Sequence, residues 1–152
     1  MAGQKITPFL WFDGQADEAA EHYVAAFKDS EITHVMKQGE KAFVVTFTLA
    51  GIKYQALNGG PMFKPTEAFS FFVECEDQAE VNRLWAHFLD GGGTESQCGW
   101  LKDRWGYSWQ IIPKRFMELV QSPDREGAGR VMQAMMQMVK FDVAALETAF
   151  RG

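Results

Sequence analysis

The sequence predicts an α+β fold: two βαβββ modules and a C-terminal run of helices, in one domain of 152 residues. Three observations point there. A strand pattern followed by a helix pattern occurs twice at an offset of roughly sixty residues, too long for a solenoid unit and right for a duplicated module. Short β-rich stretches separated by turn residues follow each helix pattern. Past Pro113 the apolar spacing becomes helical and stays so.

Module one covers about residues 5–60. Ile6 to Phe12 is an apolar, aromatic run closed by Asp13-Gly14, the mark of a buried strand. Ala16, Ala19, Ala20, Tyr23, Val24 and Phe27 fall on one helical stripe. Strands over Ser30 to Lys37, Lys41 to Leu49 and Ile52 to Leu57 follow, with turns at Gln38-Gly39-Glu40 and Ala50-Gly51. The turn-rich Asn58-Gly59-Gly60-Pro61 ends the module.

Module two, about 66–113, repeats the order. Phe69 to Cys75 is a strand, and Asp77 with Glu80 has the spacing of a capping box. Val81, Leu84, Trp85, Phe88 and Leu89 form the helical stripe, which Gly91-Gly92-Gly93 stops. Short strands around Thr94 to Leu101, then Tyr107 to Ile112, complete it. In the extension, about 114–152, Ser122-Pro123 reads as an N-cap followed by Pro at the first helical position. Val131, Met132, Met135, Met136 and Val139 form one apolar face, and Asp142 caps a last helix through Phe150.

Hydrophobic residues at 47% and charged ones at 23% exclude a disordered or coiled-coil chain. Fifteen basic against 20 acidic residues give −5 with no basic stripe, which argues against a nucleic-acid partner. The 13 Phe, 5 Trp and 8 Met supply a dense core and large apolar groups to line a site. Cys75 and Cys98 have neither zinc-knuckle spacing nor a disulfide framework, so free thiols in the cytoplasm are expected. Met1 to Lys5 shows no apolar signal core, and no apolar run is long enough to span a membrane.

Ile6-Thr7-Pro8-Phe9-Leu10-Trp11-Phe12, Leu57-Asn58-Gly59-Gly60-Pro61 and above all Cys98 to Asp103 with Trp109-Gln110-Ile111-Ile112-Pro113 carry a resemblance. They resemble the PhnB-like branch of the vicinal oxygen chelate superfamily, which includes glyoxalase I, extradiol dioxygenases and antibiotic-resistance proteins. The resemblance implies two βαβββ modules forming a curved mixed sheet around a pocket, within a dimer. Members often carry the label 3-demethylubiquinone-9 3-methyltransferase. A Rossmann-type methyltransferase needs a glycine-rich turn from a strand into a helix. Gly91-Gly92-Gly93 follows a helix instead, and no strand feeds Gly127-Ala128-Gly129, so methyl transfer by that fold is not expected.

Enzymes of the superfamily hold a divalent ion with His and Glu. The resemblance places those positions at Thr7, Ser70 and Gln110, with Gln55, Ala56 or Asn58 as the fourth. None offers an imidazole or carboxylate, the donors such ions require. His22, His34 and His87 read as surface or packing residues. No metal ligand and no cofactor is therefore expected. Period-two alternation puts Thr7, Phe9 and Trp11 on one face, likewise Ser70 with Phe72, and Ser108 and Gln110 with Ile112, leaving Trp109 and Ile111 under the helices. The expected site is an aromatic cup with neutral hydrogen-bonding groups for a small aromatic or amphiphilic molecule. An enzyme with unorthodox ligands, or none, is the alternative. Uncovered strand edges and the Met face suggest a homodimer.

Overall fold

A computed structural model describes Gly3 to Gly152; Met1 and Ala2, at the start of the segment read for a signal core, lie outside the described residues. The chain divides into two compact units, one ending at Pro65 and one running from Thr66 to Gly152.

The first unit holds β1 (Phe9–Phe12), α1 (Ala16–Val24), β2 (Glu31–Gln38), β3 (Lys41–Leu49) and β4 (Ile52–Asn58). They form a mixed sheet in the order β1-β4-β3-β2, with β1 and β4 parallel. Leu10, Phe12, Val45, Phe47 and Ala56 are buried on one side together with Ala16, Ala19, Ala20 and Tyr23 of α1. The small residues on α1 let the helix lie close to the strands while Tyr23 fills the space at its end, which is why the alanine stripe was legible as a packing face. The expected start of β1 at Ile6 is corrected: Ile6 is 83% exposed and the ladder begins at Phe9. Ahead of it the Gln4 side chain takes over the pairing, donating to the Lys53 carbonyl and accepting from the Lys53 N–H.

The second unit contains β5 (Ser70–Cys75), α2 (Gln78–Leu89), β6 (Thr94–Glu95), β7 (Trp100–Lys102) and β8 (Ser108–Pro113), then α3 (Lys114–Val120), α4 (Arg125–Met135) and α5 (Val143–Arg151). Its sheet runs β5-β8-β7-β6, the same topology as the first. Asp77 caps α2 by accepting from the Glu80 N–H, and Glu80 reaches back to the Glu76 N–H. Trp109 is sandwiched between Phe71 and Phe88 at ring-centroid distances of 4.1 and 3.9 Å, so it is core, as alternation indicated.

Three readings of the extension change. The N-cap of α4 is Asp124, whose Oδ1 accepts from Gly127 N–H; Ser122 instead accepts from the Asp124 N–H in the turn before it. A carboxylate two residues nearer the free N–H groups displaces the Ser-Pro start. Gly127 lies inside α4, where a Cβ would sit 2.8 Å from the Phe150 ring, so its small size serves the approach of α5. The Met face is divided, because α4 ends at Met135: Val131 is buried and Met135 packs against the core, whereas Met132 and Met136 are exposed. That core joins Ile112, Phe116, Leu119, Val131, Phe141 and Leu146. Gln78 ties α5 to α2, donating to the Phe141 carbonyl and accepting from the Val143 N–H. Asp142 caps α5 as expected.

Candidate functional site

Paired residues on neighbouring strands point to the same side of a sheet, so register shows which side chains share the face opposite each helix. In the first unit Phe9 pairs with Gln55, which pairs with Thr46. The next row along that face is Trp11, Leu57 and Val44. In the second unit Phe72 pairs with Gln110, which pairs with Trp100; beside this row stand Ser70, Ser108 and Lys102. Each unit thus sets an exposed phenylalanine next to a glutamine. Phe9 is 52% and Phe72 51% exposed, unusual for rings that a core could have taken.

Register separates the three candidates for the fourth position. Gln55 stands to Phe9 as Gln110 stands to Phe72, while Ala56 and Asn58 fall on the α1 side. Asn58 has a fold role: its Oδ1 accepts from Ala16 N–H at 2.8 Å, closing the start of α1, and its Nδ2 donates to the Ala42 carbonyl at 3.0 Å. It borders an open cleft of about 520 Å³ that also includes Asp13, Asp17, Glu40 and Lys41, away from the Phe9 row. Thr7 is half-buried and precedes the ladder, so alternation does not fix its direction.

Both glutamines are held by hydroxyls. Gln55 Nε2 donates to Thr46 Oγ1 at 3.2 Å, and Gln110 Nε2 donates to Ser70 Oγ at 3.0 Å. Ser108 lies between Ser70 and Lys102; it is 1% exposed and its Oγ has no hydrogen-bond partner. Ile112 shares this face but is covered by the helical extension, which closes the row at that end. Trp11 is pinned by donating from Nε1 to the Gly60 carbonyl, meets Phe63 edge-on at 4.9 Å, and lies so close to Gly59 that no Cβ would fit there.

A divalent ion does not suit these donors. Thr7, Gln55, Ser70 and Gln110 offer neutral oxygens, which cannot offset dehydration of Zn²⁺, Ni²⁺ or Mn²⁺ as imidazole and carboxylate do. Among the described residues no group of three His, Cys, Asp or Glu side chains is placed to hold a metal. Burial pushes the Cys75 thiol up to about 12, with Glu80 adding to the effect, so it is no nucleophile near neutrality. Asp103 is also structural. Its Oδ1 accepts from the Trp105 and Tyr107 N–H groups and its Oδ2 from Trp109 Nε1, while Arg104 lies over the Trp105 ring. Gly91-Gly92-Gly93 runs from α2 toward β6, the wrong sense for cradling a nucleotide-type cofactor at a helix start. Sequence reasoning passed over Trp100 and Lys102 as site residues. Their alternation with buried Leu101 was the available signal.

A family model described as 3-demethylubiquinone-9 3-methyltransferase matches residues 4–112. Among solved structures, the PhnB protein from Bacillus cereus is 30% identical, with a TM-score of 0.68 over 72% of this chain and 99% of its own. A protein from Pseudomonas aeruginosa is 17% identical (TM-score 0.58, 73% and 98% covered). A glyoxalase-related enzyme from Fulvimarina pelagi is 12% identical (TM-score 0.50, 72% and 88% covered). No curated protein matches the chain. The family match ends at Ile112, so α3 to α5 lie beyond it.

Proposed function

Since the chain belongs to the PhnB-like family labelled 3-demethylubiquinone-9 3-methyltransferase, with a glyoxalase-type fold, we propose that it is a binding protein for a small aromatic or amphiphilic molecule, working without a metal ion or other cofactor. The repeated Phe–Gln pair carries this reading. In the first unit Phe9 offers apolar surface with the Gln55 amide beside it, and Thr7 and Trp11 extend that face; in the second unit Phe72 and Gln110 do the same, extended by Ser70 and Ser108. A few polar groups set among aromatic walls orient a ligand while burial supplies affinity. Neutral donors at the positions where superfamily enzymes keep His and Glu leave Lewis-acid activation without a holder in these residues. The chain acts in the cytoplasm as a homodimer, with exposed Met132 on α4 and Met136 just past its end, or the long outer strand β2, as the contact.

The test is a thermal-shift series on purified, dialysed protein. Melting should be indifferent to EDTA, Zn²⁺, Ni²⁺ and Mn²⁺ and should rise with members of a panel of small aromatic compounds. Stoichiometric metal retained through dialysis, or turnover that depends on added metal, contradicts the reading and favours an enzyme. For assembly, light scattering should give twice 17.2 kDa, and a monomer mass rejects the dimer.

A further inference from the structure

The row beside Phe72 and Gln110 has a feature that a purely neutral cup does not need. Lys102 on β7 pairs with Ser108 on β8, so its ammonium stem leaves the same side of the sheet as the Ser108 hydroxyl. Trp100, two residues earlier, stands in the Phe72–Gln110 row. An ammonium and two hydroxyls therefore adjoin two aromatic side chains on one face.

Two observations bear on what this row takes. The Ser108 Oγ is buried without a hydrogen-bond partner, and such a group is destabilising until an acceptor or donor reaches it. Meanwhile Lys102 Nζ meets Glu67 Oε2 at 3.2 Å, in a pair whose side chains are 42% and 65% exposed. An exposed ion pair of this kind contributes little, so a better-placed anion can exchange with it. The Glu67 carboxyl is held below its ordinary range first by a backbone hydrogen bond and then by Lys102, so it stays anionic near neutrality.

We propose that the Lys102–Ser108–Ser70 row anchors the acid group of a small aromatic acid, whose ring lies against Phe72 and Trp100, and that Glu67 occupies the ammonium when no ligand is bound. This rests on the binding reading above and names the ligand class. The acid group supplies the acceptor that the Ser108 hydroxyl lacks, and displacing Glu67 costs little because that carboxylate returns to water.

Isothermal titration of the full chain with 2-naphthoate and with neutral 2-naphthamide tests it. The acid should bind about tenfold more tightly than the amide, the difference expected from one charge-assisted hydrogen bond. Lys102→Met should erase that preference while leaving the amide within about twofold, and Glu67→Gln should raise naphthoate affinity by a few fold, as removal of one exposed competitor would. Ser108→Ala should weaken naphthoate without lowering the melting temperature, since the hydroxyl it removes is unsatisfied. Equal binding of acid and amide, or a preference that survives Lys102→Met, overturns the assignment while leaving small-molecule binding intact. If neither compound binds, the aromatic-acid assignment fails, and the thermal-shift panel decides the binding reading separately.

Discussion

The two modules run the same strand order but finish their sheets differently. In the first, β2 and β3 form a long hairpin of eight and nine residues, and β2 is an outer strand exposed along most of its length. In the second, the corresponding outer strand β6 is two residues long, and helices α3 to α5 pack around Ile112 at the end of β8. The local ties differ too. Asn58 locks α1 to β3 in module one, whereas Asp103 gathers the β7–β8 turn in module two. The Phe–Gln pair nonetheless recurs in the same register in both. Variation lies at the periphery, and the repeated element is an exposed face that folding alone has no reason to leave open.

That contrast can be broken by mutation. Phe141→Ala, in the core peculiar to module two, should cost about 3–5 kcal/mol in urea unfolding, because a fully buried ring leaves a cavity. Asp103→Ala should cost about 3 kcal/mol or more, since three N–H donors lose their acceptor at about 1–3 kcal/mol each. Asn58→Ala, its counterpart in module one, removes two bonds and should cost about 2 kcal/mol. A smaller effect follows from Cys75. Its raised value in the folded protein means that folding favours the protonated thiol, so stability is intact below the unfolded pKa near 9 and declines as pH climbs toward about 12. Cys75→Ala should flatten that alkaline decline in a pH series of unfolding curves.

Much of this was legible in the sequence. Strand β3 was read at its observed bounds because Val45, Phe47 and Leu49 alternate between two turns. The capped helix at Asp77 and the core position of Trp109 followed from equally local rules. What stayed hidden depends on pairing between distant segments. Gln55 could not be separated from Ala56 and Asn58 until β4 was in register with β1, and the Lys102–Ser108 neighbourhood needs β7 beside β8. The Asp124 cap was missed because Ser-Pro gives a strong start signal one position pair too early. Gln4 was missed because a side-chain amide standing in for strand pairing leaves no periodic trace.

On the binding reading, the open face of each unit serves a ligand and not folding. A single doubly substituted protein, Gln55→Leu with Gln110→Leu, tests it by urea unfolding and 2-naphthoate titration on the same sample. Each substitution removes one half-buried amide–hydroxyl bond, so the pair should lower stability by no more than about 2 kcal/mol. Naphthoate affinity should fall by roughly tenfold or more, the value of about 1.4 kcal/mol in binding. Loss of several kcal/mol of stability with unchanged affinity would make both glutamines scaffold residues and contradict the account.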